Sequence, residues 1–378
     1  MKDYLKYWVP VLVLAIAYTG ILLGGDFVWL GFLMFPTLAI GDVLLGRDYS
    51  PRHMKNEFVA DIPLWVCTVG PILMYWVFAW QVSRGAFPEV SQMIGGVLSL
   101  AWTSIVPLAP AAHEMYHKRS VLARTMGRYA QLCQLDPMRD IAHVVGHHID
   151  VATVKDGDTA KRGTSLYAFV GHAVWEQTLR DVTMESDALR KRGLSAFNYR
   201  HRIYRAVLAQ GVFQGGSYLL AGWHGVALTF GAVLVARFWA EAFNYFQHYG
   251  LIRVVGTTIG RRHLWNHLHW FSRVLSFEIT NHADHHLNSY QRYYQLVPHK
   301  GAIEMPSLFV CFIASLIPPL WHEKIVKPAL KRWDLEFATP EEQVLAAAAN
   351  RAAGWPDWIN EREAQASGPR VRATTQGC

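Results

Sequence analysis

Apolar residues run almost without interruption from Trp8 to Gly24, with no charge among them, and a second run extends from residue 27 to residue 45. A bilayer core takes roughly 20 apolar residues of helix, so each run predicts a membrane span. Pro36 is a tolerated kink in the second, and Asp42 lies near its end. The first run is too long for a cleavable leader, lacks a small-residue cleavage site and is followed at once by more apolar sequence. After a charged turn from Arg47 to Asp61, residues 62 to 80 and 93 to 112 predict a third and a fourth span. Residues 206 to 221 and 225 to 243 predict a fifth and a sixth, joined by a tight turn at Gly222 to His224.

The segments between the runs are polar. The chain therefore divides into residues 1–112 with spans one to four and residues 113–205, a cytoplasmic segment. Residues 206–247 hold spans five and six, residues 248–334 a second cytoplasmic segment, and residues 335–378 a C-terminal helix and disordered tail. Within the fourth segment, residues 305 to 320 are apolar but contain Pro306, Pro318 and Pro319, which predicts a re-entrant or surface-lying helix, with a seventh span as the weaker option. Thr339-Pro340-Glu341 has the form of an N-cap and first helical turn. The expected fold class is an all-α integral membrane protein: a six-transmembrane-helix bundle with a cytoplasmic histidine-rich helical cap.

Orientation follows from the cations. The three loops on one side (residues 25–26, 81–92 and 222–224) contain only Arg84, whereas Lys2, Lys6, Arg47, Arg52, Lys55 and both large polar segments lie on the other. The positive-inside rule makes that second side, with both termini, cytoplasmic. Composition agrees, with 52% apolar and 13% aromatic residues against 17% charged in 378. The net charge of +7 suits anionic headgroups of membrane lipid or an acidic partner, but no basic stripe interleaved with aromatics suggests nucleic acid. Cys67, Cys133, Cys311 and Cys378 are too scattered for an iron-sulfur, zinc or disulfide framework.

The chemistry lies in the histidines. Asn281-His282-Ala283-Asp284-His285-His286 sets three imidazoles at i, i+3 and i+4, which a helix aims at one point. Similar spacing recurs in His113-Glu114-Met115-Tyr116-His117 and in His143-Val144-Val145-Gly146-His147-His148. These stretches hold eight of the eighteen histidines, and a ninth, His248, follows the sixth run. One tetrahedral zinc takes about four protein ligands, so nine converging imidazoles imply two metals. Asp140, Glu241, Glu278 and Asp284 are candidates to accept the free ring N–H groups and fix the imidazoles. Trp102, below His113, is a candidate wall of a substrate pocket. His263, His267 and His269 form a weaker pattern. His113-Glu114-x-x-His117 also matches a one-zinc metalloprotease with Glu114 as general base, but such a protease needs only one further ligand. A transporter fits less well, because the clusters lie beyond the ends of the runs.

In order along the chain, the histidine clusters and Asn244-Tyr245-Phe246-Gln247-His248-Tyr249-Gly250 resemble the integral-membrane alkane hydroxylases of the fatty acid desaturase-like diiron family. Arg139-Asp140-Ile141-Ala142-His143, Glu278-Ile279-Thr280-Asn281-His282 and Met305-Pro306-Ser307-Leu308-Phe309-Val310-Cys311 bring the chain closer to its aryl-methyl branch, the xylene-monooxygenase type. The resemblance implies a nonhaem site of two iron ions held by His113, His117, His143, His147, His148, His248, His282, His285 and His286. It also implies O2 as cosubstrate, a small hydrophobic aromatic substrate and electrons from an NADH-dependent flavin and iron-sulfur reductase. Glu114 becomes a neighbour of the ligands rather than a base, and this chain carries no flavin or iron-sulfur centre of its own. Gln247 stands where alkane hydroxylases usually have Glu, which fits the aryl-methyl branch. Alkane hydroxylation and fatty acyl desaturation or hydroxylation are the alternative chemistries.

Overall fold

The computed structural model describes residues 1–299 and 303–366, and the tail expected to be disordered lies outside them. All regular structure among these residues is helical; the only strand-like pairings are the isolated bridges Arg47 to His269 and Asn266 to Glu304. Among the described residues, five helices are long and apolar enough to cross a membrane. The first four are α1 (Lys2–Leu23), α2 (Gly25–Leu45), α3 (Glu57–Ser83) and α4 (Val90–Tyr116). Helix α3 starts five residues before the predicted run because the Asn56 side chain accepts the Val59 N–H and caps it.

The fifth, α5 (Arg202–Gln247), has 46 residues and would be about 69 Å long if straight. It is not straight. Ala221 (φ −141°, ψ 20°) and Gly222 (φ 58°, ψ −154°) leave helical geometry, and the Thr229 hydroxyl donates to Gln214 Oε1 at 2.9 Å. Residues fifteen apart stand about 22 Å apart in a continuous helix, so this bond requires the chain to double back. Gly222 permits the left-handed φ at the reversal. The two predicted runs are thus the arms of one hairpin, with its bend at the start of the expected turn.

Helix α4 is broken once, at Val106 (φ −129°, ψ 108°) ahead of Pro107. Proline removes a donor and clashes with the preceding turn, and the break changes the course of the last two turns, Ala109–Tyr116. Those turns carry His113.

The polar segments fold against these long apolar helices. Helix α6 (Leu166–Lys191) lies along α5, with Arg237 donating to Gln177 Oε1 at 2.9 Å. The eight-residue helix α7 (Leu308–Ser315) is about 12 Å long, too short to cross, and packs Phe312 against Phe35 and Phe243. The C-terminal helix α8 (Pro340–Ala352) opens with a reciprocal cap between Thr339 and Glu342. It belongs to the body of the protein: buried Arg162 pairs with Asp334 at 2.7 Å and bonds Asn350 at 2.8 Å.

Candidate metal centre

His113 and His117 leave the end of α4 one turn apart. His143, His147 and His148 come from the helical stretch Arg139–Asp150, which widens into a π-turn over Ala142–His147. His248 caps α5, and His282, His285 and His286 share the short helix His282–Leu287. All nine rings converge, in two groups. His113, His117, His143, His148 and His285 offer ring nitrogens within 4.8 Å of one another, as do His147, His248 and His286. His282 Nε2 stands 2.7 Å from His248 Nε2 and joins the second group. Consecutive helical residues point about 100° apart, which explains why each His-His pair contributes one ring to each group.

The donor set fits metal. His113 Nε2 faces His285 Nε2 at 3.0 Å and His117 Nε2 at 3.3 Å, and His143 Nε2 faces His148 Nε2 at 3.0 Å. Two nitrogens about 2.1 Å from a common ion and about a right angle apart stand about 3.0 Å from each other. His147 Nε2 and both ring nitrogens of His286 are buried without a hydrogen-bond partner. Burial also keeps the rings neutral, the form that ligates: it lowers His117 to about 4, His282 to about 3 and His148 to about 2. It holds His143, His285 and His286 well below the ordinary imidazole value. His147 differs: burial acts to lower its pKa, but the charge and hydrogen bond of Asp156, helped by Asp158, turn the net shift upward.

Three rings are oriented by the nitrogen turned away from the centre. His147 Nδ1 donates to Asp156 Oδ2 at 3.0 Å, His248 Nδ1 to the Asn244 carbonyl at 3.3 Å and His282 Nδ1 to the Ile279 carbonyl at 3.2 Å. The carboxylates expected in this role are engaged elsewhere. Asp140 binds Arg128 and Arg202, and Glu241 binds Arg139 and Arg237. Glu278 takes Arg52, Arg273 and Tyr7, while Asp284 takes His299 and the Val297 N–H. Glu114 accepts the Tyr293 N–H at 3.2 Å. Buried or half-buried charges need compensating partners, and nearby arginines provide them for Asp140, Glu241 and Glu278. Asp156 sits in a loop eight residues past His148, where no periodicity singles it out.

Glu114 thus turns to the backbone of Tyr293 and does not share a metal-binding group with His113 and His117, whereas the general base of a zinc protease must face the metal-bound water. Glu114→Gln is expected to retain at least about half of wild-type oxygenase turnover, since an amide oxygen still accepts the Tyr293 N–H. Assay of hydroxylated product in that variant checks this; loss of activity would show that the Glu114 carboxylate itself is needed at the centre. His263 bonds Glu342 at 2.7 Å and His267 Nδ1 bonds the Pro306 carbonyl at 2.9 Å, and among the described residues neither offers a nitrogen to either group of rings.

A cavity of about 120 Å³ opens beside His113, His143, His248 and His282. Its apolar wall includes Ile105, Val106, Phe243, Leu275 and Leu308. Trp102 is not part of it. That indole is buried about one turn below, edge-on to Phe35 at 5.0 Å and tilted on Phe309 at 6.2 Å.

Residues 90–304 match the family model for fatty acid desaturases. The chain is 41% identical to the hydroxylase component of xylene/toluene monooxygenase from Pseudomonas putida, over 94% of this chain and 97% of that one. It is 28% identical to alkane 1-monooxygenase 1 of Pseudomonas aeruginosa, over 86% of this chain and 88% of that protein. It is 27% identical to alkane 1-monooxygenase 2 of the same organism, over 85% and 90%.

Proposed function

Because this chain belongs to the fatty acid desaturase family and, within it, to the xylene/toluene monooxygenase hydroxylases, we propose that it hydroxylates the methyl group of small alkyl-aromatic hydrocarbons. The reaction consumes O2, two electrons and two protons and yields the benzylic alcohol and water. The observation that carries this reading is the meeting of nine imidazoles, five and four, beside an apolar cavity.

His113, His117, His143, His148 and His285 would hold one iron ion, and His147, His248, His282 and His286 the other. Bound iron supplies dioxygen activation and the cleavage of the C–H bond. The chain's own contribution is placement. Asp156 and the Asn244 and Ile279 carbonyls direct His147, His248 and His282 inward, and the apolar wall excludes water while holding the ring against the centre. We read the two arms of α5 as separate crossings, which makes six. With the cation distribution, this puts the centre and both termini on the cytoplasmic face of the inner membrane. The substrate then enters from the bilayer, and electrons arrive from an NADH-dependent flavin and iron-sulfur reductase. The wording "hydroxylase component" for the Pseudomonas putida relative supports such a multi-component system.

Alkane hydroxylation is the second reading, and the greater similarity to the xylene/toluene relative, 41% identity against 28% and 27% to the alkane monooxygenases, favours the first. Product analysis from whole cells that co-express a reductase, offered methylarenes, alkanes and acyl lipids, tests the assignment. Benzylic alcohols are expected as the main products. Terminal alkanols or unsaturated acyl chains in their place would move the chain to another branch of the family.

A further inference from the structure

One side of the cavity is polar in a way that a hydrocarbon cannot use. Among the described residues that line it, two buried polar atoms have no hydrogen-bond partner: the Tyr116 hydroxyl and Gln131 Oε1. Tyr116 is 5% exposed and Gln131 2%. The Gln131 amide stands close to the Tyr116 hydroxyl, near enough for a weak mutual contact but outside hydrogen-bond geometry. The adjoining polar residues are already engaged. Gln134 donates to the Ser104 carbonyl at 2.5 Å, and Arg139 is paired with Asp136 and Glu241. The recess lies beside the metal centre, since the Tyr116 ring centroid is 6.1 Å from that of His113.

A phenol offers one donor and a glutamine oxygen one acceptor, which together complement a hydroxyl group. A methylarene has neither partner to offer. Its oxidised product has both: the new alcohol can donate its O–H to Gln131 Oε1 while its oxygen accepts the O–H of Tyr116. Leaving such buried groups unpaired is unfavourable, and an alcohol formed beside them can pair with both at once. We propose that Tyr116 and Gln131 form a hydroxyl-binding subsite that retains the benzylic alcohol after turnover and sets how strongly product competes with substrate. The proposal rests on the methylarene reading of the same cavity. Both are positioning residues, and no bond is made or broken at either.

The test measures equilibrium binding of benzyl alcohol and of toluene to the full-length, iron-loaded protein in detergent without reductase, so that no turnover occurs. Wild type is compared with Tyr116→Phe, which removes the hydroxyl, and Gln131→Met, which removes the amide, each at nearly constant volume. Loss of one neutral hydrogen bond corresponds to about a fivefold lower ratio of alcohol to toluene affinity in each variant, because toluene makes no hydrogen bond with either group. With reductase added, the inhibition constant of benzyl alcohol should rise by the same factor relative to the KM for toluene. Unchanged alcohol binding in both variants would overturn the subsite. So would a parallel loss of toluene binding, which would mean only a damaged cavity. If wild type failed to hydroxylate any methylarene, the substrate reading would fall separately, and the alcohol-to-toluene comparison would still decide the subsite.

Discussion

Replacement of His285 by alanine is expected to reduce turnover to background and to lower iron content below that of the wild type. His285 Nε2 lies 3.0 Å from His113 Nε2, and its ring centroid is 5.0 Å from that of His117 and 5.2 Å from that of His148. It is therefore central to the five-ring group. Alanine leaves a void there that no neighbouring donor can fill, because the helix His282–Leu287 commits His286 to the other group. Metal binding is coupled to folding wherever ligands come from distant segments, so the melting temperature should fall as well. Iron analysis, product assay and a thermal melt on one preparation check all three. Full metal with wild-type turnover would contradict the ligand assignment.

Asp156→Asn is expected to weaken iron binding or turnover by about 10- to 100-fold, the usual effect of losing the partner that orients a ligating histidine. The amide can still accept a bond from His147 Nδ1 at the present 3.0 Å, but without the charge that raises the basicity of that ring. Asp140→Asn is the control. Its oxygens meet Arg128 and Arg202, so the change should cost stability without selectively loosening iron. Equal iron retention in the two variants, by competition with a chelator, would remove Asp156 from the centre. This contrast matters because Asp140, three residues before His143, is the carboxylate that proximity in the chain recommends.

The helices that run through the membrane were legible because lipid imposes a local rule. Every backbone group must bond within its own segment and every outward side chain must be apolar, and both requirements are visible in a window of about 20 residues. The reversal inside α5 was legible too, from Gly222 between two apolar runs. The partners of the carboxylates were not. Whether Asp140 turns to an imidazole or to Arg128 depends on how remote segments pack, and no spacing within the chain encodes that.

The histidine spacings by themselves determined which residues can share a focus, since a helix of known pitch sets the direction of i, i+3 and i+4 side chains, and they made two metals the natural count. Only the tertiary structure decided that adjacent rings divide five and four, that Asp156 from a loop steadies His147, and that Tyr116 and Gln131 rather than Trp102 face the cavity. The physical reason is range. Helical periodicity and hydrophobicity act over a few residues, whereas hydrogen bonds, ion pairs and cavity walls join side chains brought together from separate segments by packing.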